Sequence, residues 1–287
     1  MKSPVSRRNH RRFSDLACGI VGAVAASLTL VVLGCIVWDL LRLGLPHLSW
    51  LFLTGEVADG GRSGGIGPVL VSTVMIVVIA LAVAIPPGVG CALWLSEFVR
   101  PGTVPARAIT GGVDLLASVP SIVFGLFGMA FFAQVLGLGF SILSGGLTLA
   151  CMILPLLVRT TLTALQSLPV DLRPSAAALG LTQTTTIRKI LLPAALPGIL
   201  VGVTIGVARS LSETAALIFT SGYATRWPDS PGDSGRALSV HIYDLAMNIP
   251  NGAAAASASA LVLLLMILVI NSFASFLAER WLRRYHS

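Results

Sequence analysis

Long apolar blocks, separated by short polar segments, make up most of this chain. Six blocks reach the ~20 residues that a helix needs to cross the hydrocarbon core of a bilayer. They are Leu16–Leu41, Val69–Leu95, Leu115–Leu138, Ile142–Leu165, Ala194–Phe219 and Ala253–Leu277. The boundary between the third and fourth blocks is the weakest, because only a short glycine-containing stretch at 137–141 marks it. The pattern predicts an all-α integral membrane protein with six transmembrane helices.

Composition agrees with this reading of the pattern. Of the 287 residues, 55% are hydrophobic and 11% are charged, whereas a soluble domain carries about a quarter charged residues. The first block is longer than the ~7–15 apolar residues of a signal peptide, so we expect it to be a retained helix. The predicted organisation is a basic tail at 1–15, a first helix at 16–41, a transmembrane domain at 66–277 and a second tail at 278–287.

The basic residues are distributed unevenly between the polar segments. With the N-terminus in the cytoplasm, 14 of the 19 Lys and Arg residues fall in cytoplasmic segments, four fall outside, and Arg209 lies within a span. Short cytoplasmic loops of membrane proteins are enriched in Lys and Arg. The charge of +7 is therefore typical of membrane orientation rather than of nucleic-acid binding. We expect a multi-pass protein of the cytoplasmic membrane with both termini inside.

Four local patterns lead to further predictions. The Cys residues lack metal-ligand spacing, which indicates small buried residues without disulfides or metal. Pro86-Pro87-Gly88 should kink or unwind the second span, and Asp114 should cap a helix. The outer segments at 39–67 and 221–251 are long for connections. The glycines of the first segment favour flexibility, and either segment is a docking surface or a solvated connection.

The cytoplasmic segment between the fourth and fifth spans has the signals of two short helices. Asp171 can cap the first helix, Pro174 fits its first turn, and Gly180 fits its end. A second helix is predicted from Thr182 to Leu192, before Pro193 leads into the fifth span. A rigid helix–turn–helix at this position can transmit force from a soluble partner into the fifth span. A plain re-entry loop is the alternative.

This segment resembles the EAA loop of ABC importer permeases. Ala176, Gly180, Ile190, Leu192 and Pro193 match the pattern EAA-x3-G-x9-I-x-L-P. The resemblance implies a cytoplasmic coupling helix that seats in a groove of an ATPase subunit, with those five residues in the coupling motif. Three positions depart from the family, because Pro174 replaces Glu, Ser175 replaces Ala, and Thr184 stands where an aromatic residue is common. A less polar and shallower dock is expected.

The fifth block contains two charged residues at membrane depth. An intramembrane charge costs ~2.5–3.5 kcal/mol on insertion scales, and in a continuous helix Arg209 and Glu213 would share one face. Ser210 and Thr214 would form an adjacent strip. The pair either neutralises itself while packing helices together or lines a path for an oxyanion, which a planar guanidinium binds well. Glu213 could also accept a hydrogen bond from a protonated phosphate oxygen, which would favour phosphate over sulfate, since sulfate carries no such proton.

Three stretches resemble phosphate importer permeases of the PstA type. They are Arg209 with 213–215 and 219–220, the segment 94–102, and the third-span segment 119–128. The resemblance covers about 66–277. It implies a type I ABC importer permease fold and a phosphate substrate. It also implies a second homologous permease subunit, two cytoplasmic ATPase subunits that bind the ATP, and an extracytoplasmic phosphate-binding protein.

Several functions are excluded or left as alternatives. The chain has no P-loop motif and no hydrolase constellation, so we expect neither an enzyme nor a cofactor on this chain. The scattered His residues predict no metal site. The alternatives are a permease for phosphonate or phosphite, an ion-coupled secondary anion carrier, and a membrane scaffold. Neither of the last two accounts for both the rigid cytoplasmic segment and the charges of the fifth span.

Overall fold

The computed structural model describes residues 4–100 and 102–285. Helices make up most of the described chain, and its two short strands form one small hairpin. The helices are α1 (Pro4–Gly44), α2 (Trp50–Thr54), α3 (Gly67–Glu97), α4 (Val104–Ser118), α5 (Ser121–Gly128), α6 (Ile142–Gln166), α7 (Leu172–Ala178), α8 (Gln183–Thr186), α9 (Leu192–Ser212), α10 (Ala215–Ile218), α11 (Leu238–Met247) and α12 (Ala253–Tyr285). Strands β1 (Val57–Ala58) and β2 (Ser63–Gly64) pair antiparallel between α2 and α3.

Five helices of the described chain are long and apolar enough to cross a membrane. These spans are Cys18–His47, Gly67–Glu97, Ile142–Gln166, Gln183–Ser212 and Ala253–Phe276. The predicted basic tail is already helical from Pro4, while residues 1–3, 286 and 287 of the predicted tails lie outside the described residues. The first, second, fourth and sixth blocks thus each correspond to one helix.

The third block is not one straight helix. α4 and the helix that starts at Ser121, which continues as a π-helix over Met129–Val135, meet at 97°. Val119 and Pro120 are extended between them, because the proline ring disfavours helical geometry in the residue before it and lacks an N–H. The predicted continuous span at Leu115–Leu138 is therefore wrong, and the two bent helices together make the sixth candidate span.

The second span shows the opposite outcome. α3 continues through Pro86 and Pro87, so the predicted unwinding does not occur. At Gly88 an added Cβ would lie 3.0 Å from Leu157 Cβ on α6, which shows how closely the two helices approach. The contacts with α6 hold α3 helical where the backbone has lost two hydrogen-bond donors.

The core of the molecule lies between α3, α6 and α9. Fully buried side chains of one apolar cluster include Ile76, Ile142, Leu149, Ile153 and Leu157. Glycines permit close approach, since a Cβ at Gly146 would overlap Ile79 and a Cβ at Gly202 would overlap Thr160. This dense packing makes the three helices the rigid centre against which the other elements lie.

α1 lies at the periphery and packs mainly on α12. Gly44 at its end contacts Ser257 and Leu261, whereas its apolar side chains from Ile20 to Ile36 are exposed. An apolar helix surface of this kind suits lipid tails. Cys18 and Cys35 lie on this exposed helix, so the prediction that all four Cys are buried is wrong, although all four are free thiols.

The two long segments predicted to lie outside the membrane, 39–67 and 221–251, both contain hydrogen-bonded elements. Segment 39–67 contains α2 and the hairpin, and Gly65 N–H donates to the Glu56 carbonyl at 2.7 Å, so its glycines lie among regular backbone hydrogen bonds. Segment 221–251 contains α11. Its turn is fixed by Asp233, whose carboxylate accepts the N–H groups of Asp229 and Ser230. Those bonds hold the pKa of Asp233 below its ordinary value.

Candidate functional site

The segment at 168–191, hereafter the elbow, folds as a helix–turn–helix. α7 begins after Asp171, whose side chain makes no capping bond, so only the position of the predicted cap is right. Pro174 lies in the first turn of α7. Gly180 ends the helix with φ +70°, and Leu181 N–H donates to the Ala176 carbonyl at 3.1 Å. This is the bond pattern that closes a helix with a left-handed glycine.

The second half of the elbow runs directly into the fifth span. The Thr182 hydroxyl caps α8 by accepting from Thr185 N–H. A π-helix at Ile187–Leu191 then joins α8 to α9, and Pro193 lies in the first turn of α9, where it leads into the fifth span as predicted. The wider π-turn gives the proline ring room beside the preceding turn. The second half of the elbow and α9 therefore form one continuous helix over Gln183–Ser212.

The five predicted coupling residues have different surroundings. Ala176 is buried under the elbow, Gly180 is exposed at the turn, and Ile190, Leu192 and Pro193 are half-buried. Apart from Gly180, these residues contribute to the packing and backbone geometry of the elbow rather than to its exposed surface. The outer surface instead presents Val170, 81% exposed, and Leu179, 77% exposed. Sequence reasoning missed these two apolar side chains, which interrupt an otherwise polar or small-residue stretch.

The charged part of the fifth block is broken in the structure. α9 ends at Ser212, Glu213 is extended with ψ 125°, and α10 begins at Ala215. Ser212 Oγ donates back to the Ala208 carbonyl, a bond with which serine competes against regular helix geometry. The prediction that Arg209 and Glu213, or Ser210 and Thr214, share one helix face is therefore wrong.

Glu213 and Arg209 act separately within the described chain, since no ion pair joins them there. Glu213 Oε1 accepts Ala216 N–H at 3.3 Å, which places its charge at the N-terminus of α10, where an anion is favourable. Its carbonyl accepts the Ser239 hydroxyl at 2.5 Å. Thr214 is half-buried and Ser210 is buried with an unpartnered hydroxyl.

Arg209 lies on the face of α9 that points away from the core. Val201, Ile205 and Ser212 share its exposed side, while Val207 and Leu211 pack against α3 and α12. The guanidinium makes no ion pair with the rest of the described chain. It stands one turn from the break in the span. This geometry leaves its five N–H donors available to an anion.

An ion pair connects α4 and α6 at the surface of the helical bundle. Arg159 of α6 donates through Nη2 to Asp114 Oδ1 of α4, and both side chains are about half exposed. Asp114 therefore bridges two helices rather than capping one, contrary to prediction. Arg159 lies within a span and not in the polar segment to which the charge count assigned it. The two residues could be recognised from sequence only as isolated charges.

The end of the bundle opposite the elbow carries a buried polar cluster. Arg236 Nη1 lies 3.1 Å from Asp244 Oδ2 and 3.5 Å from His241 Nδ1, and its guanidinium covers the Tyr223 ring. Burial, together with the charge of Arg236, lowers the pKa of His241 to about 4. His241 is therefore neutral at neutral pH. Nothing in the sequence set this His apart from the other three.

Comparison with known proteins places these features in one family. Residues 84–285 match the model of the binding-protein-dependent transport system inner membrane component. The probable ABC transporter permease YqgI of Bacillus subtilis is 33% identical over 289 residues, covering 95% of this chain and 96% of that protein. The phosphate transport system permease PstA of Xylella fastidiosa Temecula1 is 30% identical, covering 94% and 84%.

Solved structures share the fold at lower identity. A bacterial alginate ABC transporter in complex with an alginate pentasaccharide-bound periplasmic protein aligns with a TM-score of 0.66 and 17% identity, covering 96% of each chain. The fold is that of type I ABC importer permeases. The family model, matched at residues 84–285, covers both the elbow and the broken fifth span. This chain belongs to the binding-protein-dependent transport system inner membrane components, as a permease subunit of an ABC importer and not its ATPase subunit.

Proposed function

We propose that this permease imports inorganic phosphate across the cytoplasmic membrane. The observation that carries the proposal is the exposed guanidinium of Arg209, one turn before the break in the fifth span. A charge at this depth is costly unless it faces a water-filled path or a partner. A planar guanidinium binds phosphate oxygens with two parallel hydrogen bonds and stays charged. The 30% identity to a PstA permease favours phosphate over other oxyanions.

The partners follow from the two ends of the bundle. The elbow, with Val170 and Leu179 exposed, would seat against one of two cytoplasmic ATPase subunits, which would bind the ATP. A second, homologous permease subunit would cover the exposed face of α9 and complete the path. Segments 39–67 and 221–251 would receive an extracytoplasmic phosphate-binding protein, and both termini would lie in the cytoplasm. Family membership sets aside the ion-coupled carrier and the scaffold.

Uptake of labelled phosphate by the complete complex in proteoliposomes tests the substrate. Arg209→Gln should lower uptake at least about tenfold, because a charge-assisted hydrogen bond contributes ~1.5–3 kcal/mol. Arg209→Lys should retain part of it, since the charge remains and the fork is lost. Arg107→Gln, which removes an exposed Arg of α4 outside both docking ends, is the matched control and should transport like wild type.

Competition identifies the anion. Excess unlabelled phosphate and arsenate should suppress uptake, whereas phosphite, methylphosphonate and sulfate should not. Uptake that phosphite or methylphosphonate suppresses more strongly than phosphate would reassign the substrate. If Arg209→Gln takes up phosphate at the wild-type rate, the guanidinium does not bind the transported anion and its proposed role is overturned.

A further inference from the structure

Glu97, the last residue of α3, is bonded to the elbow by an ion pair. Arg173 of α7 donates to its carboxylate through Nη2 at 2.7 Å and through Nε at 3.1 Å. The Glu97 side chain is 7% exposed and that of Arg173 is 33% exposed. Two parallel bonds to a nearly buried carboxylate define a direction as well as a distance. The contact is therefore more specific than a surface ion pair.

The same two residues reach two further elements. Arg173 Nη2 also donates to the Leu165 carbonyl at 3.3 Å, near the end of α6. Gln183 Nε2 of α8 donates to the Glu97 carbonyl at 3.0 Å. Both helices of the elbow are thus tied to the end of α3, and the first of them is also tied to α6.

Helix electrostatics explain why this pairing is strong. A carboxylate in the last turn of a helix faces the negative end of the helix dipole, so Glu97 is unfavourable there without a cation. Arg173 supplies that cation and at the same time places its charge beside the terminal carbonyls of α6. Removing either partner leaves the other without its main hydrogen bonds in a mostly buried place, which is costly.

Apolar contacts alone already fix the elbow against the bundle. Leu168 and Leu172 pack on a cluster that contains Leu95, Leu165 and Leu191. The polar bonds therefore are not needed simply to prevent the elbow from detaching. They add a connection along the axes of α3 and α6, which apolar surfaces free to slide do not provide.

We propose that Glu97, Arg173 and Gln183 form a joint that transmits movement of the elbow to α3. α9 is driven through its continuous backbone, and α6 is joined to the elbow at Ser167, whereas α3 has no direct chain connection to the elbow and depends on the joint or on packing. Because α3 and α6 are closely interlocked at Gly88 and Gly146, they move together. The three residues are positioning residues that never touch the transported ion.

The inference rests on the proposed seating of the elbow against an ATPase subunit and not on the identity of the anion. Loss of the joint should uncouple the complex. In Glu97→Gln and Arg173→Gln, the ATPase subunits should still co-purify and hydrolyse ATP, but phosphate transported per ATP should fall at least about fivefold. Arg107→Gln, which removes an exposed Arg of α4, is the control for charge loss and should couple normally.

A covalent replacement distinguishes a joint from a packing contact. In a background without the four native Cys, Glu97→Cys with Arg173→Cys should be uncoupled, and a short bismaleimide across the two thiols should restore transport per ATP. If the elbow must instead slide past α3 during the cycle, the cross-linked complex will be inactive, which would overturn the proposal.

A milder variant is available if Glu97→Gln and Arg173→Gln fail to accumulate. Gln183→Ala removes only the bond from α8 to the Glu97 carbonyl and should be partly uncoupled.

A readout that needs no transported ion separates this inference from the phosphate proposal. A single Cys at Val74, an exposed position of α3, should react with a maleimide at a rate that changes when ATP and vanadate are added. The change should be lost in Arg173→Gln and kept in Arg107→Gln. An unchanged rate in wild type, or an ATP response retained in Arg173→Gln, would overturn the joint. Absent phosphate uptake with a normal ATP response would overturn only the substrate.

Discussion

Single charged residues show how far environment decides their role. Glu213 and Arg209 look like a neutralising pair in sequence, yet Glu213 caps α10 while Arg209 makes no ion pair with the described chain. Arg173 and Glu97, 76 residues apart, form the bidentate pair that the sequence did not suggest. Spacing predicts pairs only within an unbroken helix, and the decisive pairs here connect different helices.

His241 makes stability depend on pH. Its pKa is lowered to about 4 in the folded protein, so the unfolded chain binds its proton first as the pH falls. The stability that neutral His241 contributes is complete above pH 6.5 and is lost as the pH falls toward 4. The loss approaches about 3 kcal/mol. Between pH 7.5 and 5, the melting temperature of the detergent-solubilised wild-type protein should therefore fall by several degrees more than that of His241→Gln.

The charged groups that face His241 act on its protonation in opposite directions. Arg236 disfavours protonation of His241 and Asp244 favours it. His47→Gln, at an exposed His of the described chain, is the control and should keep the wild-type pH dependence. Equal slopes for wild type and His241→Gln would show that this His does not carry the effect.

Helix continuity is decided by tertiary contacts as much as by local signals. Pro120 separates two helices at 97°, whereas Pro86, Pro87 and Pro193 lie in helices that continue. The difference is what surrounds each proline. α3 is held against α6 on both sides of its prolines, and the π-helix before Pro193 relieves the ring, while the bend at Pro120 lets α5 pack on α10 at Gly125.

Gly180 provides a test of the elbow as an element. Its φ of +70° is in the left-handed region, and an added Cβ would meet nothing within 4 Å. Gly180→Ala should therefore cost about 1 kcal/mol through the backbone alone, weakening co-purification of ATPase subunits. Gly180→Asn should retain most of the co-purification that Gly180→Ala loses, because Asn tolerates the left-handed conformation better than Ala.

Another glycine offers the matched control for that effect. Gly137 also has a φ of +68° and open space around it, but it lies in the connection between the π-helix after α5 and α6, away from the elbow. Gly137→Ala should lower thermal stability by a similar amount and leave ATPase binding unchanged. If both variants bind the ATPase equally well, the left-handed turn is not what shapes the docking surface.

The molecule as a whole has two distinct ends joined by a dense centre. The elbow contacts the ends of α3 and α6, and the opposite end is built from the hairpin, α2 and α11. Between them lie the packed helices α3, α6 and α9. This arrangement would give the proposed ATPase subunit and binding protein separate surfaces, with the core between them to transmit movement.

Accessibility of single cysteines tests the orientation of the whole protein. In a Cys-free background, Ser63→Cys in the hairpin should react with a membrane-impermeant maleimide on intact cells. Leu179→Cys in the elbow should react only after the membrane is permeabilised, and more slowly when the ATPase subunits are co-expressed. Asp229→Cys should behave like Ser63→Cys as a second outside control. Labelling of Leu179→Cys on intact cells would invert the orientation inferred from the basic residues.

The sequence by itself determined the membrane class, the spans α3, α6 and α12, the elbow and its left-handed Gly180, because each depends on local hydropathy or backbone preference. Tertiary structure alone decided which helices break, how the segments at 39–67 and 221–251 fold, and which charges meet. Arg173 pairs with Glu97 and Arg159 pairs with Asp114. Within the described residues, Glu213 bonds to the start of α10 and makes no ion pair with Arg209. The physical reason is that a charge pairs with what packing brings near it, and packing joins residues that are distant along the chain.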